Sequence, residues 1–158
     1  MLALLLVLLI VANGAPVIAR RLFRWRWSAP IDGGRLWTDQ RRLLGAHKTW
    51  RGLVAGVAAT GLVSGLVGMG VYFGLLFGFL ALTGDALSSF IKRRLNLPPG
   101  ARATGLDQIP EAVLPLLLAV WWFSLGWLSI LLVMGLFVAA NILLSPVLHR
   151  LGIRRQPH

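Results

Sequence analysis

Three long stretches of this chain carry no Asp, Glu, Lys or Arg: residues 1–19, 52–84 and 112–148. Nothing else in the sequence limits the fold so severely. An apolar helix crosses the hydrocarbon layer in about 20 residues, and inside lipid a helix satisfies every backbone donor and acceptor within its own segment. The first run fits one crossing. The other two are too long for one crossing each and fit two. The predicted fold is therefore an all-α integral membrane protein, a bundle of five transmembrane helices within a single membrane-embedded domain over residues 1–158. The spans are placed at about 1–19, 53–68, 71–91, 111–126 and 128–148.

Composition agrees. Of 158 residues, 57% are hydrophobic and only 13% charged, against roughly 25% charged in a soluble domain. The absence of cysteine removes disulfides and thiolate metal sites, and three scattered histidines leave zinc without a donor set. The net charge of +11 would point a soluble chain toward nucleic acid. Here all 16 basic residues fall in blocks 20–51, 92–102 and 150–155, between or after the apolar runs. Such a pattern obeys the positive-inside rule if all three blocks face the cytoplasm. The expected topology has the N-terminus outside, the C-terminus inside, and cytoplasmic loops at about 20–52 and 92–110. A cleaved signal peptide is the other reading of residues 1–19, given the small residues Ala12 to Ala15. Its positive charge would precede the apolar run rather than follow it from Arg20.

The first loop is basic and aromatic. Trp25, Trp27, Trp37 and Trp50 among arginines suit a headgroup layer, and Arg20, Arg21, Arg24 and Arg26 read as topology-setting cations that meet anionic lipid. Pro30-Ile31-Asp32-Gly33-Gly34-Arg35 reads as a tight turn carrying a charge pair. Lys48-Thr49-Trp50-Arg51-Gly52 packs a lysine, a hydroxyl and an arginine just before a span, a grouping suited to a polyphosphate. Small residues then recur about every fourth position (Gly52, Gly56, Thr60, Ser64, Gly68, then Gly70, Gly74, Gly78), a stripe that lets helix backbones approach closely in lipid. Trp121, Trp122 and Trp127 are expected at the outer interface, Pro115 and Pro146 near span ends, and Asn141 in an interhelical hydrogen bond.

Chemistry concentrates in residues 83–111. Asp85, Ser88, Ser89 and Lys92 share one helical face, Arg93 and Arg94 follow, Pro98-Pro99-Gly100 breaks the helix, and Asp107 and Glu111 supply a second acidic pair. An ionisable group at the end of a span marks a functional site by default. Two separated carboxylates among cations suit a hard metal ion with a phosphate-bearing ligand. The same residues also permit a structural pair of Asp85 with Lys48 or Lys92, and an N-cap role for Asp107. A transporter would be expected to place polar groups near the bilayer midplane. The spans hold few, and the polar equipment gathers at one surface, as befits an enzyme joining a water-soluble reactant to a lipid.

Gly84-Asp85, then Ser89 and Lys92-Arg93, resembles the GD-x3-S-x2-KR core of the CTP-dependent phosphatidate cytidylyltransferases. Gly105-Leu106-Asp107-Gln108-Ile109 is similar to the glycine-to-aspartate segment that follows it there, and Lys48-Thr49-Trp50-Arg51-Gly52 to their KTW-x-G element. The short chain, five spans and the Pro30–Gly34 element resemble more closely the archaeal branch, the CDP-archaeol synthases. The likeness covers about Asn13 to Glu111. Two departures stand out: Pro110 occupies the place of a second acidic residue, with Glu111 its nearest substitute, and Ala46-His47 replaces a proline-glycine pair.

The resemblance implies transfer of CMP from CTP to a membrane-embedded unsaturated isoprenoid glycerol phosphate, with Mg²⁺ as cofactor and pyrophosphate as the second product. It implies Asp85 and Asp107 as metal ligands, and Lys48, Asp85, Lys92 and Asp107 as the catalytic set. Lys48, Arg51 and Lys92 would offset phosphate charge, Arg93 would meet the lipid phosphate, Thr49, Gly52 and Ser89 would line the nucleotide, and Asp32, Gly33, Gly34 and Arg35 would close over it. Monomer and homodimer are both compatible. Two other readings stay open. One is a CDP-alcohol phosphotransferase, whose DG-x2-AR motif Asp32-Gly33-Gly34-Arg35 begins but does not continue. The other is a non-enzymatic lipid-binding membrane subunit, which would leave Asp85 and Asp107 idle.

Overall fold

The computed structural model describes residues 1–97 and 105–150, the last ten of these by backbone alone. Five helices follow one another: α1 (Leu2–Phe23), α2 (Trp50–Leu66), α3 (Val71–Arg94), α4 (Gln108–Phe123) and α5 (Trp127–Arg150). Among the described residues the only extended pairings are two isolated bridges in the first loop, Pro30 with Thr49 and Leu36 with Arg42. The predicted spans and these helices agree to within a few residues at each end. Two helices, α1 with mean hydropathy 2.6 and α3 with 1.6, are long and apolar enough to cross a membrane, and shorter apolar segments lie in α2, α4 and α5. The Pro98-Pro99-Gly100 break, the side chains of Asn141 and Pro146, and the basic tail beyond Arg150 lie outside the described residues.

α1 is the central element and touches each of the other four helices. Its Leu5, Leu8, Leu9 and Ala12 meet Phe73, Phe77 and Ala81 of α3, Ala112 and Leu116 of α4, and Val133 and Phe137 of α5 in one core. Large apolar side chains on the outside, such as Leu62, Leu66, Tyr72, Leu128 and Leu131, stay exposed, as a lipid-facing surface requires.

The small-residue stripe packs α1, α2 and α3 together. Thr60 and Ser64 are fully buried, and a Cβ placed on Gly78 would sit 2.9 Å from that of Thr60. A Cβ on Gly56 would meet the Ala12 carbonyl at 2.8 Å. That carbonyl is the one deprived of its helical donor by Pro16, four residues on inside α1. Gly84 does the same service between α3 and α4. A Cβ there would run into the Pro110 carbonyl and come within 2.7 Å of the Glu111 nitrogen. The α3–α4 crossing therefore lies one residue from Asp85 and three from Asp107. Residues 24–49, the end of α3 and the start of α4 gather at this same end of the bundle.

Candidate active site

The first loop is folded around one carboxylate. Asp32 Oδ1 accepts hydrogen bonds from Gly34 N at 3.0 Å and Arg42 Nη2 at 2.8 Å, while Oδ2 accepts from Leu44 N at 3.2 Å and Gly45 N at 3.0 Å. The side chain is completely buried. Burial by itself would raise its pKa, but the donors from Gly45, Gly34, Arg42 and Leu44 outweigh it and hold the group down at about 2. Gly33 and Gly34 make the turn possible with φ of 55° and 81°.

Asp32, Gly33, Gly34 and Arg35, the residues expected to close over a nucleotide, make up this turn. The Asp32 carboxylate has four donors inside the loop and points inward. Gly33, Gly34 and Arg35 form an exposed turn beside it and line neither of the two cavities described below.

Arginines then fasten the loop to the helices. The last carbonyls of an α-helix lack partners within it, and Arg41 Nη1 donates to those of Arg93 and Arg94 at 3.2 and 3.3 Å. Arg94 answers by donating to Asp39 at 2.7 Å and to the Arg42 carbonyl at 3.0 Å. Its guanidinium also lies 5.1 Å over the Phe90 ring, on which Trp37 packs edge-on. At the other side Arg51 Nη1 donates to the carbonyls of Arg24 at 2.9 Å and Arg26 at 2.6 Å, tying the start of α2 to the end of α1.

The two aspartates of the 83–111 segment are each held by a lysine. Lys48 Nζ pairs with Asp85, and Lys92 Nζ with Asp107 at 2.6 Å. All four side chains are only partly buried. The structural pairing foreseen for Asp85 thus exists, with Lys48 as the partner. Asp107 stands at the N-cap of α4 without a side-chain cap bond, so its carboxylate serves Lys92 instead. Thr49 does cap α2, accepting from Gly52 N at 3.2 Å. Ser89 is buried and its hydroxyl donates to the Asp85 carbonyl at 3.0 Å, so it braces the turn that carries Asp85.

Two cavities open at this end. The larger, about 870 Å³, is lined by Arg20, Arg24, Arg41, Arg42, Arg51 and Arg93 and by no acidic side chain. The smaller, about 220 Å³, runs between α1, α2 and α3. It has apolar walls from Val17, Leu53 and Leu82, with Lys48 and Asp85 in its lining. The Nε–H groups of Arg42 and Arg51 are buried at the larger cavity with no hydrogen-bond partner. Buried donors of that kind suit the oxygens of a bound polyanion.

Comparison with known proteins decides the family. The CarS-like CDP-archaeol synthase family model matches residues 2–158. The CDP-archaeol synthase of Thermococcus kodakarensis is 42% identical over 140 residues, covering 80% of this chain and 78% of that one. The CDP-archaeol synthase of Pyrobaculum aerophilum is 39% identical over 146 residues, covering 89% and 82%. A solved structure described as an intramembrane enzyme for archaeal membrane lipids biosynthesis superposes with a TM-score of 0.68 at 32% identity, over 88% of this chain and 91% of that one. The chain belongs to the CDP-archaeol synthase family.

For a member of that family, the residues sequence reasoning passed over are as informative as those it named. Arg41 and Arg42 belong to none of the motifs; Arg41 caps α3, Arg42 anchors on Asp32, and both line the cleft. The signal available was the Arg41-Arg42 pair in the same loop as Asp32. His47 lines both cavities. Protein crowded around its ring, with Lys48 beside it, pushes its pKa down to about 4, although one edge of the residue stays open. At neutral pH it is a neutral imidazole and adds no charge.

Among the described residues no group of three or more His, Cys, Asp or Glu is placed to hold a metal unaided. The pair Asp85 and Asp107 offers one carboxylate from each of two segments, which would suit a Mg²⁺ that takes its other ligands from phosphate and water. It does not fit a cage built entirely by the protein.

Proposed function

We propose that this chain transfers CMP from CTP to an unsaturated archaeal diether glycerol phosphate, giving the CDP-archaeol lipid and pyrophosphate. Membership of the CDP-archaeol synthase family supports the reaction. The observation that carries it onto this structure is the juxtaposition of an arginine-lined cleft with an apolar cavity, since the reaction must bring a soluble triphosphate against a lipid phosphate.

The large cleft takes the nucleotide, with Arg24, Arg42 and Arg93 around the phosphates. The smaller cavity takes the head of the lipid, its tails leaving between helices into the bilayer. The acceptor phosphate is already an anion, so attack on the α-phosphorus needs placement and charge neutralisation rather than a general base. Asp85 and Asp107 would hold Mg²⁺, which when bound neutralises phosphate charge and orients the triphosphate. Lys48 and Lys92, now paired with those carboxylates, turn toward phosphate oxygens when the anionic ligand arrives. Thr49 and Gly52 line the floor, and Arg51 acts mainly by holding the loop. The site faces the cytoplasm, with the N-terminus outside and the C-terminus inside; the positive-inside rule supports this, because the basic first loop and the basic end of α3 lie together at this end.

Pyrophosphate release by the purified protein in detergent, with Mg²⁺ and CTP, tests the reading. Release is expected only when the diether glycerol phosphate is added. ATP does not replace CTP, and Asp85→Asn lowers the rate at least a hundredfold. Consumption of a CDP-lipid with an alcohol acceptor, in place of that release, would make the chain a phosphotransferase and sink the proposal.

A further inference from the structure

The two cavities share a wall made of Pro16, Arg20, His47, Thr49 and Gly52. On α1 this follows from helical spacing. Asn13, Pro16, Val17 and Arg20 lie on one face and line the apolar cavity; Pro16 and Arg20 of the same stripe also line the arginine-lined cleft, which Arg24 joins from just beyond the helix end. The substrates of a phosphoryl-transfer reaction must touch where their chambers adjoin, so this wall marks where bond making takes place.

Of the five shared residues only Arg20 carries a permanent charge. Most cations nearby have protein partners: Lys48 on Asp85, Arg42 on Asp32, Arg41 on carbonyls of Arg93 and Arg94, and Arg51 on carbonyls of Arg24 and Arg26; Arg24 lines the larger cavity but not the smaller. Among the described residues no ion pair or hydrogen bond engages the guanidinium of Arg20, which is exposed at the last turn of α1.

We propose that Arg20 is a catalytic residue that bridges the two reacting phosphates, reaching the acceptor phosphate from the apolar cavity and the α-phosphate from the cleft. The proposal rests on the cytidylyltransferase reading of the site. In the step, an acceptor phosphate oxygen forms a new P–O bond to the α-phosphorus, and the bond from that phosphorus to the α–β bridging oxygen breaks. The electron pair leaves with pyrophosphate. Arg20 stays protonated throughout. Its planar fork spans an oxygen on each phosphate and offsets their mutual repulsion, which is greatest as they close. Sequence reasoning gave Arg20 only a topological task among Arg21, Arg24 and Arg26; its place on the shared wall is what separates it from Arg26.

The test compares Arg20→Gln, Arg20→Lys and Arg26→Gln in the pyrophosphate assay with saturating lipid, alongside equilibrium binding of CTP with Mg²⁺. Arg20→Gln is expected to lower kcat by about a hundredfold, while CTP affinity changes by less than about threefold. Arg20→Lys recovers part of the loss, because a point charge replaces the fork. Arg26→Gln, which removes an equal charge from the same surface, keeps kcat within about twofold. An unchanged kcat in Arg20→Gln, or an equal loss in Arg26→Gln, would overturn the assignment and return Arg20 to the headgroup layer. A parent protein that releases no pyrophosphate would instead refute the reaction itself, so the two failures are distinct.

Discussion

Gly84→Ala puts a methyl group where α3 and α4 have no room for one. The new Cβ would lie 2.7 Å from the Glu111 nitrogen and nearer still to the Pro110 carbonyl, whereas ordinary contacts for such an atom begin at 3.4 Å. Both obstructing groups are backbone in the first turn of α4, so no side chain can rotate aside. α4 must move away by about 1 Å. Asp107 precedes that turn and Asp85 adjoins the glycine, so the shift falls on the spacing between the two carboxylates. A misplacement of about 1 Å can cost a factor of about 100 in rate. Pyrophosphate release by Gly84→Ala is expected to fall about a hundredfold at saturating CTP and lipid, with the protein still folded by its thermal transition. Gly14→Ala is the control: it lies in α1 and its Cβ meets nothing within 4 Å. That variant is expected to keep full activity. If Gly84→Ala worked as well as the parent, the contact would not be setting the carboxylate spacing, and the argument from the crossing would fail.

Asp32→Asn removes the charge that four donors converge on. The pKa difference between 3.8 and about 2 corresponds to about 2 kcal/mol of stability, read as a lower thermal midpoint in detergent. Because the folded pKa is depressed, that stability is fully present above pH 3.8 and is lost as the pH falls toward 2. The gap in midpoint between parent and variant therefore narrows below pH 3.8, and a gap independent of pH would contradict the reading. Arg41→Gln strips α3 of the side-chain donor to its last two carbonyls, one of which, that of Arg93, still accepts from Asn96 N at 3.3 Å. Limited proteolysis within residues 36–44 is expected to quicken several-fold, and an unchanged cleavage rate would show that Arg94 and Trp37 hold the loop unaided.

The fold was legible because lipid leaves a chain little choice. Apolar runs of known length, divided by charge, located five helices without any knowledge of their neighbours, and the four-residue spacing of small side chains pointed to Gly56, Thr60, Ser64, Gly74 and Gly78 as packing positions. Gly84 was read only as part of a motif with Asp85. Its packing role depends on where the α4 backbone passes, and no local pattern in α3 encodes that. The charges of Lys48, Asp85, Lys92 and Asp107 stand out in the sequence because they lie beside apolar runs, and the structure pairs them two by two at one end of the bundle.

What the sequence left unread in the first loop has one physical cause. A loop of about thirty residues that must present arginines to a polyanion has to hold its own backbone against their repulsion, and it does so with groups of the same chemical type as those that bind the ligand. Asp32 and Arg51 have the donors and acceptors of nucleotide ligands, yet one collects three backbone N–H groups and a guanidinium, and the other closes on two carbonyls. Composition cannot separate a cation that grips phosphate from one that grips carbonyl oxygen, since both offer the same donors. Only the partner atoms distinguish them. By that criterion the loop divides its basic residues into fasteners (Arg41, Arg51 and, beyond it, Arg94) and exposed donors such as Arg20 and Arg24. Loss of a fastener should weaken nucleotide binding and loop stability together, whereas loss of Arg20 should slow turnover in a loop that stays folded.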